Sequence, residues 1–354
     1  MNRAARYGAF LGALLLGASC GPDGLSPSES DFFPTPEYTT VEPGSVTSVV
    51  SGFSWDPEAF FMHLATCGGP TCPIPPFLLD ESPLYLRSAV QGATIAAFDP
   101  LLGRPAVDPV QTDELGLWTI PSVPSRSDVP YFVTALPTGS LTNEPIGPPW
   151  PQVPQGGYLP TVTLRPVVTH NSVCAVQEAG NLSTVGILEA VAKYLTVSGT
   201  PTTVADFVDP TKFANVVVFW LYHPGSALLR VPADGTTIEA SAGQVLHVEW
   251  APPGVPPDNL RSTRGFMVSD GAAVSPRGIS VVLLRAGAEL PPVVTYTVKD
   301  PSEDEALARP WFFPPIQAPP TPGVVNFAGT QLWRSDEPNG PPGPPPPFLC
   351  LPLQ

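Results

Sequence analysis

Residues 216–222 read Val-Val-Val-Phe-Trp-Leu-Tyr, and this run decides the class of fold. It holds no polar residue, and its side chains are β-branched or bulky, so it predicts a strand covered on both faces. Working outward toward the carboxy terminus, strand patterns recur at 236–240, 244–250, 265–268, 279–285 and 293–298, and Pro232-Ala233-Asp234-Gly235 makes a turn between two of them. In the other direction lies the one convincing helix, Ser183 to Leu195. Ile187, Leu188, Val191 and Leu195 share its apolar face, Ser183 or Thr184 can cap it, and Glu189 pairs with Lys193 at i,i+4. A shorter helical turn is expected at 204–208. Together these elements read as a β-sandwich of about 130 residues.

Further upstream the chain offers strands at 46–55, 90–99, 111–120, 131–135 and 159–165, with Asp56-Pro57 ending the first. The run Gly92-Ala93-Thr94-Ile95-Ala96-Ala97-Phe98-Asp99, the acidic-glycine turn Asp113 to Gly116 before Leu117-Trp118-Thr119-Ile120, and Tyr131-Phe132-Val133-Thr134-Ala135 resemble the carboxypeptidase regulatory-like module. The resemblance covers residues 44–165 and is interrupted by an insertion, Pro57 to Ser88, that carries Cys67 and Cys72. It implies a transthyretin-like β-sandwich, usually non-catalytic, and transfers no site residues.

Fifty-one prolines and 31 glycines among 354 residues oppose long helices, because proline lacks the amide donor and clashes with the preceding turn. The fold class expected is therefore mainly β: two β-sandwich domains in tandem, over 44–165 and 166–309, with one short helix and Pro-rich termini. The last segment, 310–354, includes Gly340 to Pro347 and is expected to be extended polyproline II, lying on the surface or free.

Arg3 and Arg6 precede an apolar stretch, Tyr7 to Leu16, and then the small residues Gly17, Ala18 and Ser19. That order marks a secretory signal over 1–19, and the apolar stretch is shorter than the roughly 20 residues that span a bilayer. Leu14 to Cys20 resembles a bacterial lipobox, which implies diacylglycerol on the Cys20 thiol and a lipid-anchored place in the cell envelope, at the outer membrane. Gly21 to Pro43 carries five prolines, five carboxylates and no base, a tether able to reach roughly 70 Å.

Four further cysteines, Cys67, Cys72, Cys174 and Cys350, suit an oxidising compartment and allow three pairings. One closes Cys67 on Cys72 and leaves Cys174 to pin Cys350. Zinc fits poorly, because the Cys67–Cys72 spacing is loose and no second pair or histidine motif completes four ligands. The acidic run Asp300 to Glu305 lacks the alternation of a calcium loop. His63, His170, His223 and His247 fall in no ligand spacing and read as structural.

Removing the signal leaves 14 basic against 31 acidic residues, a surface that repels nucleic acid. No metalloprotease, esterase, P-loop or dinucleotide motif occurs, and no cofactor or metal is expected. Trp55, Trp118, Trp220 and Trp250 fall in strand patterns and belong to the core, whereas Trp311-Phe312-Phe313 is the candidate binding patch. The function expected is a non-catalytic, surface-anchored envelope lipoprotein in a binding or accessory role. Its partners would be the membrane, through the lipid, and an envelope protein or glycan. A hydrolase of envelope glycan or peptide, which would need a convergent carboxylate pair in a cleft, and a small-ligand carrier of transthyretin-like type are the alternatives.

Overall fold

A computed structural model of the chain describes residues 47–66, 87–126, 130–141, 153–167, 169, 174–224, 230–251, 259–287, 289–299, 303–304, 309–310 and 315–331. The protein is mainly β. Strand β1 (Thr47–Trp55) leads into helix α1 (Pro57–Thr66), followed by β2 (Thr94–Asp99), β3 (Leu117–Pro124), β4 (Tyr131–Leu136), β5 (Thr161–Val167) and β6 (Cys174–Gly180). Helix α2 (Ile187–Val197) and a 3-10 turn over Val204–Val208 come next. Then follow β7 (Phe213–Pro224), β8 (Thr237–Ala240), β9 (Gln244–Trp250), β10 (Phe266–Val268), β11 (Ile279–Arg285), β12 (Val294–Lys299), β13 (Ile316–Ala318) and β14 (Val325–Gln331). The remaining described strands are two or three residues long.

The largest sheet has 11 strands, in the order β10-β9-β11-β7-β14-β5-β4-β2, with two short strands pairing with β2 and one, Arg230–Pro232, with β7. Most neighbours run antiparallel, but β14 is parallel to both β7 and β5. Two three-stranded sheets, β6-β1-β3 and β8-β12-β13, complete the main framework.

The apolar run in β7 explains itself in this arrangement. Val216, Val218, Trp220 and Tyr222 enter the core that also holds Phe60 of α1 and Leu188 of α2. Val217, Phe219 and Leu221, on the alternate face, enter the core shared with Ile238, Tyr296 and Ile316 from the β8-β12-β13 sheet. Both faces of the strand are thus covered, and period-2 alternation sends successive side chains to different cores. A third core joins Val50 and Ile120 to Ile95 and Val133, where the β6-β1-β3 sheet meets β2 and β4. Trp55, Trp118 and Trp220 are buried and Trp250 packs on the edge of the helix-side core, as their strand patterns predict.

The structure departs from the sequence reading in three places. Asp56-Pro57, expected only to end the first strand, also begins a helix: Pro57 occupies the first turn of α1, which Asp56 caps by accepting the Ala59 N–H at 2.9 Å. The helix expected from Ser183 begins at Ile187, because the backbone of Ser183 is engaged in a bridge to Tyr158. The Glu189–Lys193 pair forms as expected, at 2.8 Å.

The third difference is in the carboxy-terminal segment. Within the stretch assigned to surface polyproline, Val325–Gln331 forms an interior strand, and it lies between β7 and β5. Strands from both sides of the residue-165 boundary therefore share one sheet, and that boundary falls inside β5. Asn326 on β14 donates from Nδ2 to Asn215 Oδ1 at 2.7 Å, and Asn215 donates to the Tyr296 hydroxyl at 2.8 Å. This buried chain of hydrogen bonds fixes β14 against β7 and β12, since a one-residue slip would strand each amide.

Phe327 is fully buried and meets Trp55 edge-on, with ring centroids 6.3 Å apart. Phe327→Ala is expected to lower stability by about 3–5 kcal/mol, the range for deleting a buried phenyl ring. Leu102→Ala, at a side chain that is 57% exposed, is the control and should shift the urea midpoint little.

Candidate functional site

Three chain segments converge on Arg264. Its Nη1 donates to Asp56 Oδ2 at 2.7 Å and to Glu58 Oε2 at 2.9 Å, and its Nε donates to the Pro154 carbonyl at 3.1 Å. The Arg264 backbone N–H donates to the Val185 carbonyl at 3.1 Å. Tyr158 donates its hydroxyl to the same oxygen, Asp56 Oδ2, at 2.9 Å. The side chains of Arg264, Asp56 and Glu58 have no exposed surface, and Tyr158 is buried with them. Arg264 Nη2 finds no partner among the described residues.

Glu58 also closes a helix to which it does not belong. Its Oε1 accepts the Ile187 N–H at 2.8 Å, at the first turn of α2. Gly186, at the N-cap, supplies no side-chain cap of its own. The carboxylate of α1 therefore satisfies an orphan donor of α2 and sits at the positive end of its dipole. A Cβ on Gly186 would lie 1.7 Å from Glu58 Oε2, so only glycine permits this approach. Nearby, Asn181 Nδ2 donates to Ser54 Oγ at 2.8 Å and to the Trp55 carbonyl at 3.1 Å, tying the chain before α2 to the end of β1.

Burial raises Glu58 to about 7; Arg264 opposes that rise and Asp56 adds to it. Burial would by itself lower Arg264, but Asp56, Glu58 and Tyr158 together hold it above its ordinary value. Tyr158 is raised, first by burial and then by Asp56. His63, further along α1, is pushed down to about 4 by burial and by Arg87 and Arg264.

No protein-family model matches the chain, and no curated protein does either. Among solved structures, a streptococcal ancillary pilin is similar at 10% identity, with a TM-score of 0.18, over 82% of this chain and 64% of that one. A C-terminal fragment of the pilus adhesin SpaC from Lactobacillus rhamnosus GG is similar at 9% identity, with a TM-score of 0.15, over 80% of this chain and 98% of the fragment. The chain thus spans less than two thirds of the pilin. Overlaps of this size carry no argument about fold or function, and the site is read from its own residues.

Two carboxylates brought together in a protein can serve as general acid and base, but only where substrate and water reach them. Asp56 and Glu58 meet inside the protein, each with zero exposure, and their oxygens are taken up by Arg264, Tyr158 and the first amides of two helices. The arrangement fastens β1 and α1 to α2 and to the turn before β10. It is a clasp between elements.

The sequence-derived candidates are elsewhere. Cys20, Cys67, Cys72, Cys350, Trp311, Phe312 and Phe313 lie outside the described residues, as does His170. Cys174 opens β6, where its backbone is paired with Val49 of β1. His247 is buried, with Nδ1 at 2.9 Å from Ser280 Oγ, which suits the structural role expected of it. Asp206 caps the 3-10 turn by accepting the Thr203 N–H, and it pairs with Lys212 at 2.8 Å.

Sequence reasoning missed Asp56, Glu58 and Arg264. A cue existed for the first two: Asp-Pro-Glu is the grammar of a helix start, with a cap, a proline at the first position and an acid in the first turn. Nothing local marks Arg264, which lies 208 residues from Asp56.

Removing the guanidinium leaves two buried carboxylates without a counter-charge. Arg264→Met is expected to cost about 3–5 kcal/mol, the range for breaking one side of a buried pair. Gly186→Ala should also destabilise, by displacing Glu58. Urea titrations of both variants beside an exposed control, Arg104→Met, check this; equal midpoints for all three would remove the clasp from the account of stability.

Proposed function

We propose that the chain is a non-catalytic lipoprotein of a bacterial cell envelope, held at the outer membrane by lipid on Cys20 and serving a binding or accessory role. The observation that carries the reading is the amino-terminal order of Arg3 and Arg6, apolar Tyr7 to Leu16, small Gly17 to Ser19 and then Cys20. The acidic, Pro-rich stretch from Gly21 to Pro43 supplies reach from the membrane, and the β framework that follows supplies a presentable surface. Its partner is an envelope protein or glycan, met through the aromatic run Trp311-Phe312-Phe313. Full burial of Asp56 and Glu58 supports a non-catalytic role, because the convergent carboxylates are given over to the clasp.

Labelled palmitate supplied to cells making the chain is expected to enter the wild type and not Cys20→Ala. Equal labelling of both would end the lipoprotein reading. Cross-linking in the intact envelope should then yield a recurrent adduct that is lost from a Trp311→Ala/Phe312→Ala/Phe313→Ala variant. An adduct unchanged by those substitutions would move the binding surface elsewhere.

A further inference from the structure

Between β2 and the short strand Arg104–Pro105 the chain turns through Pro100-Leu101-Leu102-Gly103, and the two leucines are 62% and 57% exposed. Single exposed leucines need no partner. Among the described residues, however, these two are the only sequence neighbours that are both large, apolar and more than half exposed. Their turn is held in one shape. Asp99 Oδ1 accepts the Leu101 N–H at 2.8 Å and the Leu102 N–H at 3.2 Å, and the Asp99 carbonyl accepts the Gly103 N–H at 2.9 Å. Asp99 is itself buried, and Arg126 grips its carboxylate with both Nη atoms, at 2.7 and 3.2 Å. The same guanidinium lies 4.2 Å from the centre of the Tyr131 ring. A two-pronged pair of this kind fixes direction as well as charge. The leucines are held out on a braced tip.

The stretch that leads from Cys20 enters the fold at the same end. Thr47, where β1 begins, pairs with Pro124 at the end of β3, and Ser48 and Ser125 both donate to the Thr169 carbonyl, at 3.0 and 2.8 Å. Arg126, the next residue, is the one that holds Asp99 at the base of the tip. The start of β1 and the tip are thus joined through Pro124, Ser125 and Arg126. Charge points the same way. Residues 100–107, Pro-Leu-Leu-Gly-Arg-Pro-Ala-Val, contain no acid, in a chain with 31 acidic and 16 basic residues, and Arg104 is exposed. Two leucines beside one cation, with no carboxylate among them, match the boundary between acyl chains and phosphate headgroups.

We propose that the Leu101-Leu102 tip inserts into the lipid surface that anchors the chain, so that the body of the protein rests on the bilayer by the end where β1 begins. The inference rests on the lipid-anchor reading given above. Leu101 and Leu102 enter the acyl boundary, and Arg104 meets the headgroup phosphates. Two leucines alone make a weak membrane contact, but an anchored chain keeps its tip near the bilayer at high effective concentration, and there a weak contact suffices to orient it. The bracing of the turn serves the same end, because a tip already fixed in shape loses little freedom on insertion.

The test uses the chain in its palmitate-labelled form, placed in vesicles of phosphatidylethanolamine and phosphatidylglycerol. Photo-reactive p-benzoylphenylalanine replaces Leu102 in one preparation and Val197, 63% exposed at the end of α2, in another. Helix α2 packs against β10, at the opposite end of the 11-stranded sheet from β2, and both replaced side chains lie outside the cores. Phospholipid adducts are expected at position 102 and not at 197. Adding Leu101→Asp should reduce the adduct at 102 by about tenfold, because a carboxylate is held at the acyl boundary only at a cost. Equal adducts at the two positions, or none at 102, would overturn the proposal. So would a protein adduct at 102 in place of lipid when the same chain is illuminated in the intact envelope, since the tip would then belong to a protein partner. A chain that takes up no palmitate ends the anchor reading and this inference together, whereas a labelled chain without lipid adducts at 102 ends this inference alone.

Discussion

A single guanidinium, buried without exposed surface, sets the terms for much of this structure. Arg264 costs several kcal/mol to dehydrate, and it remains charged inside the protein because Asp56, Glu58 and the Pro154 carbonyl meet it there. Each carboxylate arrives with an element attached. Asp56 ends β1 and caps α1, while Glu58 opens α1 and caps α2. Those two helices in turn cover one face of β7, the strand whose other face rests on the β8-β12-β13 sheet. Loosening the arginine would therefore expose a helical layer as well as a charge.

A buried ion pair is seldom the cheapest way to stabilise a protein, since well-packed apolar residues do as much without the dehydration cost. What such a cluster offers is a definite geometry. Glu58 reaches both Arg264 and the Ile187 amide only if α1 and α2 meet end to end, and Gly186 leaves no room for any other side chain between them. Apolar contacts among Phe60, Phe61, Leu188 and Val191 would tolerate sliding of one helix against the other. The hydrogen-bonded carboxylate does not.

How much of the fold is legible in the sequence depends on whether the deciding information is local. The strand over residues 216–222 declares itself because both its faces are buried, and the strands at 244–250 and 279–285 fall where their β-branched runs put them. Helix α1 is masked by its own start signal, because Asp56-Pro57 both ends a strand and begins a helix, and the strand-ending sense is the more conspicuous. Strand β14 is masked by averaging. The segment from 310 onward is rich in proline as a whole, yet Gly323 to Glu337 contains none, and the strand lies in that window. The pairing of Arg264 with Asp56 and Glu58 leaves no local trace, because it exists only once distant segments are assembled.

That same distance bears on how the structure comes together. Val325 pairs with Val216 on one side and with Thr161 on the other, so the 11-stranded sheet joins β7 to β5 only through a strand supplied more than a hundred residues later. Contacts of such separation are reached late, after the entropy of closing the intervening loops has been overcome. Until then β7 and β5 present unpaired edges, and an unpaired edge beside an apolar face is a hazard for aggregation. The clasp also spans a long stretch of chain, Asp56 to Arg264, but it needs no residue of β14. The polar ladder of Asn326, Asn215 and Tyr296 fixes β14 in register against β7 and β12. The two buried polar groupings have separate roles. One aligns the helical layer and the other the last strand.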